Sequence, residues 1–408
     1  MQQQIGGSHA AQELAQIAAG KAAAAAIPIT RAEREQRIAR AQEFMAQQQV
    51  AALILPAGSS LLYFTGLNWY LSERLVGAVL TPERGLDYIS PAFEESKLDE
   101  LLSMPDTVSG ALHLWQEEED PCRLVAQVLQ GTRAARSGAV LALDEQAPFF
   151  IYDGLRQAMP EAQFVNGKSI SAACRMQKSA AELALLQAAK NITLDVQRRA
   201  ARILRPGISA SEVANFIDAA HRAHGGGKST FCIVGFGAAT AVPHGVEGEQ
   251  YLREGDMVLI DTGCRLHGYH ADITRSYVFG QATPRQRALW QVEKEAQAAA
   301  FAAAEIGAPC GAVDAAARRV LQQAGFGPDY RLPGLPHRTG HGIGLDIHEW
   351  PYLVKDNPQP LLPGMCFSNE PMLVVPGECG IRLEDHFYMT EAGPRWFTGP
   401  SPAIDQPF

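Results

Sequence analysis

The sequence predicts an α/β (α+β) protein of two domains, on three observations. Its 408 residues exceed what one ordinary hydrophobic core organises. Short apolar runs alternate with helix-length segments along most of its length. Around Gly167 to Lys178 a polar stretch gives way to a long capped helix, which places a boundary near residue 170. The expected division is an extension, 1–29, an N-terminal α/β domain, 30–170, and a C-terminal domain, 171–408.

The Gln/Ala-rich extension has a long polar start, and Ala is only weakly apolar. It therefore reads as a helical or frayed segment rather than a secretory signal. Thr30, with Glu33 three residues on, predicts a helix N-terminus, and Val50 to Leu55 a buried strand. Leu61 to Gly66 reads as a second strand ending in a turn glycine. Val76 to Leu80, Tyr88 to Ser90 and Val140 to Leu143 continue the β pattern, and Pro121 to Gly131 reads as a helix. Ser179 and Glu182 have the spacing of a capping box. Beyond them, Ala-rich helices are expected over Ala180 to Leu204, Ser209 to His224, Pro284 to Ile306 and Gly311 to Ala324, alternating with β-rich segments. No internal repeat is plain in the sequence.

Composition narrows the function. The chain is 47% hydrophobic and 19% charged, as a globular protein is, and its net charge of −9 without a basic run argues against nucleic acid. Apolar runs such as Val50 to Leu55 fall far short of the ~20 residues of a membrane span. The seven cysteines are scattered, with no C-x-x-C pair, which favours a reducing, cytoplasmic setting.

The chemistry-bearing residues lie in the C-terminal half. Met257 to Phe279 contains two β-rich runs around Gly268, an antiparallel hairpin. If its turn centres on Leu266 and His267, Asp261 faces Asp272. Like charges opposed across strands destabilise a sheet unless a cation lies between them. Glu370 to Glu384 folds likewise about Pro376-Gly377, and a turn centred on Gly377 sets Glu370 opposite Glu384. His341, in Thr339-Gly-His-Gly-Ile-Gly344, is the natural nitrogen ligand. A lone aspartate on a strand is ordinarily a turn or surface residue, but two reciprocal acidic pairs with a histidine are not explained that way. Four carboxylates and a neutral imidazole carry a charge that two divalent ions cancel, and their oxygen-rich make-up suits hard to borderline metals.

Asp261, Asp272, His341, Glu370 and Glu384, in this order, resemble the ligand set of the pita-bread metallopeptidases, the family of methionine aminopeptidase, aminopeptidase P and prolidase. The likeness runs from about Lys178 to Phe397. It includes Pro243-His244-Gly245, His348-Glu349, Ser368-Asn369-Glu370-Pro371 and Gly380-Ile-Arg-Leu-Glu-Asp385. Residues 30–170 take the place of the creatinase-like domain that precedes the proline-cleaving branch.

The resemblance implies a pita-bread catalytic domain with two divalent ions per subunit, manganese first and zinc, cobalt or iron as alternatives. It implies attack of a metal-bridging hydroxide on the peptide bond before proline, in small peptides with proline at the second position. Asp261 would hold one metal, Asp272 and Glu384 would bridge, and His341 with Glu370 would complete the other. Glu370 would also move the proton. His244 and His348 would contact substrate and stabilise its developing charge, and Arg382 would orient Glu384 or receive a substrate carboxylate.

The family also implies a homodimer or higher oligomer, in which Trp69, Tyr70 or Arg74 would reach a neighbour's pocket. An Xaa-Pro dipeptidase is the leading expectation and an Xaa-Pro aminopeptidase the nearest alternative. A metal-free creatinase-type enzyme, a lyase and a non-catalytic binding module are the others. Cys264 is read as neither ligand nor nucleophile, because its odd offset from Asp261 turns it to the other strand face and no partner motif surrounds it. His221, His224, His267 and His270 are read as solvated or capping, and Asp346 is left without a role.

Overall fold

The computed structural model describes residues 5–408. It divides into two compact units, Pro28–Arg175 and a second one that joins Met176–Phe408 to the N-terminal segment up to Ile27.

In the first unit a six-stranded sheet runs in the order Ala111–Trp115, Gly85–Pro91, Gly77–Thr81, Val50–Pro56, Val140–Leu143, Gln163–Asn166. Val50–Pro56 is buried at every position, as its unbroken apolar run requires of a central strand. One expectation fails here. Leu61 to Gly66 is not a strand but the end of a short helix, Ser59–Thr65. A six-residue apolar run sets no period by itself, and Gly66 acts as a left-handed helix terminus, with φ of 83°.

In the second unit, Ser179 and Glu182 form a reciprocal capping box at the start of the helix Ala180–Arg202. Ala210–Ala223, Pro284–Ala303 and Cys310–Gln323 are the other long helices. They cover a three-stranded sheet, ordered Ile273–Val278, Met257–Gly263, Phe231–Phe236, and a five-stranded sheet, ordered Glu349–Leu353, Gly340–Gly342, Cys366–Asn369, Asp385–Thr390, Gly393–Trp396. The N-terminal segment docks on this unit through two short helices, Ala10–Ala15 and Lys21–Ala24. Buried Glu13 lies 3.2 Å from Arg199 and 3.5 Å from Arg202.

The structure shows two halves built alike, which the sequence hid. In the first, Gln197 on the helix Ala180–Arg202 donates to the carbonyls of Ile260 and Ile273 at 3.0 and 2.9 Å. In the second, Gln297 on Pro284–Ala303 donates to Leu383 at 2.8 Å and reaches Asn369 at 3.4 Å. Each glutamine thus ties together the two strands that carry one acidic pair, at carbonyls adjacent to the acids themselves.

The hairpin registers decide where those acids fall. The second pairs Met372 with Arg382 and Val375 with Cys379, so the turn centres on Gly377 as the sequence indicated. Asn369 pairs with Asp385 in the same register, which sets Glu370 opposite Glu384. The first hairpin departs from expectation. Its central turn residues are His267 and Gly268, both at positive φ (47° and 91°), so Leu266 pairs with Tyr269 and Asp261 with Thr274 rather than Asp272. Two consecutive left-handed residues make the tight turn that suits strand twist, and this moves the turn centre by one residue. The pairing therefore shifts by two, which leaves both aspartates on one face.

His221 also departs from expectation. It is fully buried, with Nδ1 2.8 Å from Ser229 Oγ and Nε2 3.2 Å from Thr193 Oγ1, a polar tie inside the core rather than a solvated residue. His224 pairs with Asp195 at 2.9 Å, and His267 is exposed.

Beside the acidic hairpins, fully buried Arg275 forms a forked pair with Asp385 at 2.8 and 3.2 Å and donates to the Glu384 carbonyl at 2.9 Å. Arg275→Ala strands a buried carboxylate, so urea denaturation is expected to show a loss of about 3–5 kcal/mol. A loss below about 1 kcal/mol, within the range of exposed pairs, contradicts this assignment.

Candidate metal centre

Each candidate ligand is placed by the end of a strand. Asp261 lies on Met257–Gly263, and Asp272 immediately precedes Ile273–Val278. Glu370 follows Cys366–Asn369, with its amide on the Thr339 carbonyl at 2.8 Å. Glu384 occupies the step between Cys379–Arg382 and Asp385–Thr390, with its amide on the Thr274 carbonyl at 3.1 Å. That last bond joins the two hairpins, and Thr274 Oγ1 donates to Glu384 Oε2 at 2.6 Å to reinforce it.

His341 is held on Gly340–Gly342, and the flanking glycines serve the packing of that strand. A Cβ on Gly340 would collide with the Ser368 carbonyl oxygen, and one on Gly342 with that of Glu349. The ring Nδ1 lies 3.0 Å from the Gly342 carbonyl oxygen and must donate to it, which leaves Nε2 as the bare nitrogen. That atom points into the acidic cluster, 3.1 Å from Glu370 Oε1 and 3.7 Å from Asp272 Oδ2.

Four of the five expected ligands converge tightly. Ligand atoms of His341, Glu370 and Glu384 lie within 4.8 Å of one another, and so do those of Asp272, Glu384 and His386 and those of Asp272, His341 and His348. Asp261 stands at the edge, its Oδ2 paired with Arg382. Arg382 therefore engages Asp261 rather than its chain neighbour Glu384. Its Nε donates to Thr274 Oγ1 at 3.0 Å. His348 packs its ring against His341, centroids 4.1 Å apart. His244 is exposed on the loop before Met257–Gly263 and joins none of these groups.

The electrostatics are those of a site built around cations. Asp261 Oδ1, Asp272 Oδ1, Glu384 Oε1 and His341 Nε2 are buried without a hydrogen bond among the described residues. Burial first, and the neighbouring carboxylates second, push Asp272 and Glu384 well above the ordinary carboxylate range. Burial also raises Asp261, against the pull of Arg382. Glu370 goes the other way: its contact with His341 and the charges of His341, His337 and Arg382 outweigh its burial and hold it low. Burial and the nearby His341 push His348 down to about 4, so its ring is neutral at pH 7. Orphaned acidic oxygens around one bare imidazole nitrogen fit divalent ions, whose charge reverses the unfavourable terms of this cluster.

Cysteine takes no part. Cys264 is buried against Thr193 Oγ1, and burial pushes its thiol up to about 11. Three residues here escaped the sequence reading. Thr274 and His386 each lie two positions beyond a candidate ligand, Asp272 and Glu384, and strand alternation returns them to the ligand face. That period-two rule was the available signal. Glu293, on the helix Pro284–Ala303, had no such signal. It is fully buried with neither oxygen bonded among the described residues, and burial raises it well above the ordinary range.

Residues 184–391 match the model of metallopeptidase family M24, and residues 37–177 match the creatinase/prolidase N-terminal domain. The probable dipeptidase PepE of Mycobacterium tuberculosis is 36% identical over 362 residues, 88% of this chain and 92% of its own. An Xaa-Pro dipeptidase of Lactobacillus helveticus is 31% identical over 82% of this chain and 89% of its own. The crystal structure of dipeptidase PepE from Mycobacterium ulcerans superposes with a TM-score of 0.83 at 33% identity, covering 91% of this chain and 97% of the other. The chain belongs to metallopeptidase family M24, with the pita-bread catalytic fold behind a creatinase-type N-terminal domain. It is a metal-dependent peptidase that takes divalent ions.

The cluster sets the sign of a pH effect. Asp261, Asp272 and Glu384, raised in the folded chain, contribute full stability below the unfolded carboxylate value of about 4 and lose it as pH rises through their folded values. Glu370 alone acts in the opposite sense. Divalent ions cancel the loss, so the Tm gap between metal-loaded and chelated protein is expected to widen from about pH 5 to about pH 8. A gap that is flat or narrows with pH contradicts the cluster's role.

Proposed function

We propose that this chain is an Xaa-Pro dipeptidase, cleaving the bond before proline in dipeptides. The observation that carries the reading is the convergence of Asp272, His341, Glu370 and Glu384, with Asp261 at its edge, into one group in which Asp261 Oδ1, Asp272 Oδ1, Glu384 Oε1 and His341 Nε2 are buried without a hydrogen bond among the described residues. The named dipeptidase relatives, which align over nearly their whole length, support the substrate class.

In this reading Asp261, Asp272, His341, Glu370 and Glu384 hold two divalent ions, manganese first and zinc, cobalt or iron as alternatives. When bound, such ions polarise the scissile carbonyl and lower the pKa of water to make a nucleophile near neutral pH. Glu370, the ligand open to solvent by 13%, accepts the proton of the attacking water and passes it to the departing proline nitrogen. His348, neutral beside His341, faces the substrate and stabilises charge developing on its carbonyl oxygen, with His244 reaching in from its exposed loop. Arg382 positions Asp261 through their buried pair.

Among the described residues no helix is long and apolar enough to cross a membrane. A cytoplasmic setting suits the scattered free cysteines. A homodimer or higher oligomer belongs to the same reading, with Trp69, exposed Tyr70 and Arg74 as the residues to test for reach into a neighbour's site.

Hydrolysis of Ala-Pro and Ala-Pro-Ala, with manganese and then with chelator, tests the substrate class. Chelator-sensitive cleavage of the dipeptide alone is expected. Preference for the tripeptide moves the assignment to Xaa-Pro aminopeptidase, and cleavage of neither by metal-loaded protein overturns it. Glu370→Gln is expected to lower kcat by ~10²–10⁴-fold. A kcat within about threefold of the parent removes Glu370 from proton transfer.

A further inference from the structure

We propose that His386 is a sixth protein ligand of this centre, giving it a second imidazole nitrogen besides that of His341. The inference rests on the reading that Asp272 and Glu384 hold metal.

His386 lies on Asp385–Thr390, two residues beyond Glu384, so alternation sends Asp385 away toward Arg275 and brings His386 back to the ligand face. The ring is fully buried. Neither Nδ1 nor Nε2 has a hydrogen-bond partner among the described residues. A buried imidazole must otherwise donate from one nitrogen and accept at the other, so two idle nitrogens are costly unless one binds something absent from the protein itself. Nε2 is 3.6 Å from Glu384 Oε1, which is likewise unpartnered, and too far for a hydrogen bond. A ring nitrogen of His386 and one carboxylate oxygen each of Asp272 and Glu384 lie within 4.8 Å of one another, the spread of donors around one ion.

The two imidazoles are separate donors. Their ring centroids are 6.4 Å apart, and Glu384 belongs both to the group containing His341 and to the group containing His386. Glu384 is thus common to both groups, and each group would supply one imidazole nitrogen. A second neutral nitrogen in place of oxygen raises affinity for zinc, cobalt or iron relative to manganese, because imidazole suits the borderline metals.

X-ray absorption on the tag-free, zinc-loaded protein counts imidazoles per chain, and competition against a chromophoric chelator measures each dissociation constant for zinc and for manganese. His348 also lies near the cluster, so His386→Gln and His348→Gln are both needed. The proposal expects at least two imidazoles in the parent and one fewer in His386→Gln. It also expects at least ~10-fold weaker binding of one zinc ion, since loss even of an outer partner of a ligand weakens metal by ~10–100-fold. The zinc-over-manganese preference should fall in the same variant. A single imidazole in the parent, or a count and affinity unchanged in His386→Gln, overturns it. If His386→Gln does not fold, His348→Gln decides: two imidazoles remaining support His386, and one overturns it. A parent that binds no zinc overturns the underlying ligand reading, an outcome distinct from a parent that binds zinc through His341 alone.

Discussion

Burial of four carboxylates within reach of one another is the constraint on which the catalytic half of this protein depends. Each is delivered by a strand end, and like charges so close repel across the sheet. The protein offsets part of this itself, through Arg382 on Asp261, Thr274 on Glu384 and Ser368 on Glu370. It leaves one oxygen each of Asp261, Asp272 and Glu384 without a hydrogen-bond partner among the described residues. An arrangement held short of internal satisfaction is characteristic of a site completed by cations, and the surrounding scaffold is organised to hold it in place.

That scaffold works by tying backbone to backbone. Gln197 and Gln297 reach from corresponding helices to the carbonyls beside each acidic pair. The Glu384 amide bonds across to Thr274 and so locks one hairpin to the other, and Arg275 grips the Glu384 carbonyl from behind. Ligand positions are therefore set by main-chain bonds rather than by side-chain packing alone, which holds the geometry at the cost of a buried Arg275–Asp385 ion pair.

Much of this was legible in the sequence, and the exceptions have physical causes. Val50–Pro56 and Val140–Leu143 read correctly because buried central strands are continuously apolar. Leu61 to Gly66 misled because a six-residue apolar run carries no period, and the left-handed Gly66 that ends a helix looks like a turn glycine. The register of the second hairpin was readable from Pro376-Gly377. That of the first was not, because His267 adopts a positive φ that its residue type only weakly favours. The two-residue slip left both aspartates on one face of the sheet. The likeness of the two halves was hidden because it resides in hydrogen-bond geometry, with Gln197 and Gln297 embedded in unlike helical sequences.

The central claim is that Asp261, Asp272, His341, Glu370 and Glu384 surround two divalent ions. Anomalous diffraction at the zinc or manganese edge from crystals of the loaded protein tests it most directly. Two peaks per chain inside that group of side chains are the result expected. Crystals of loaded protein with no peak there, or with ions bound only elsewhere, would contradict it.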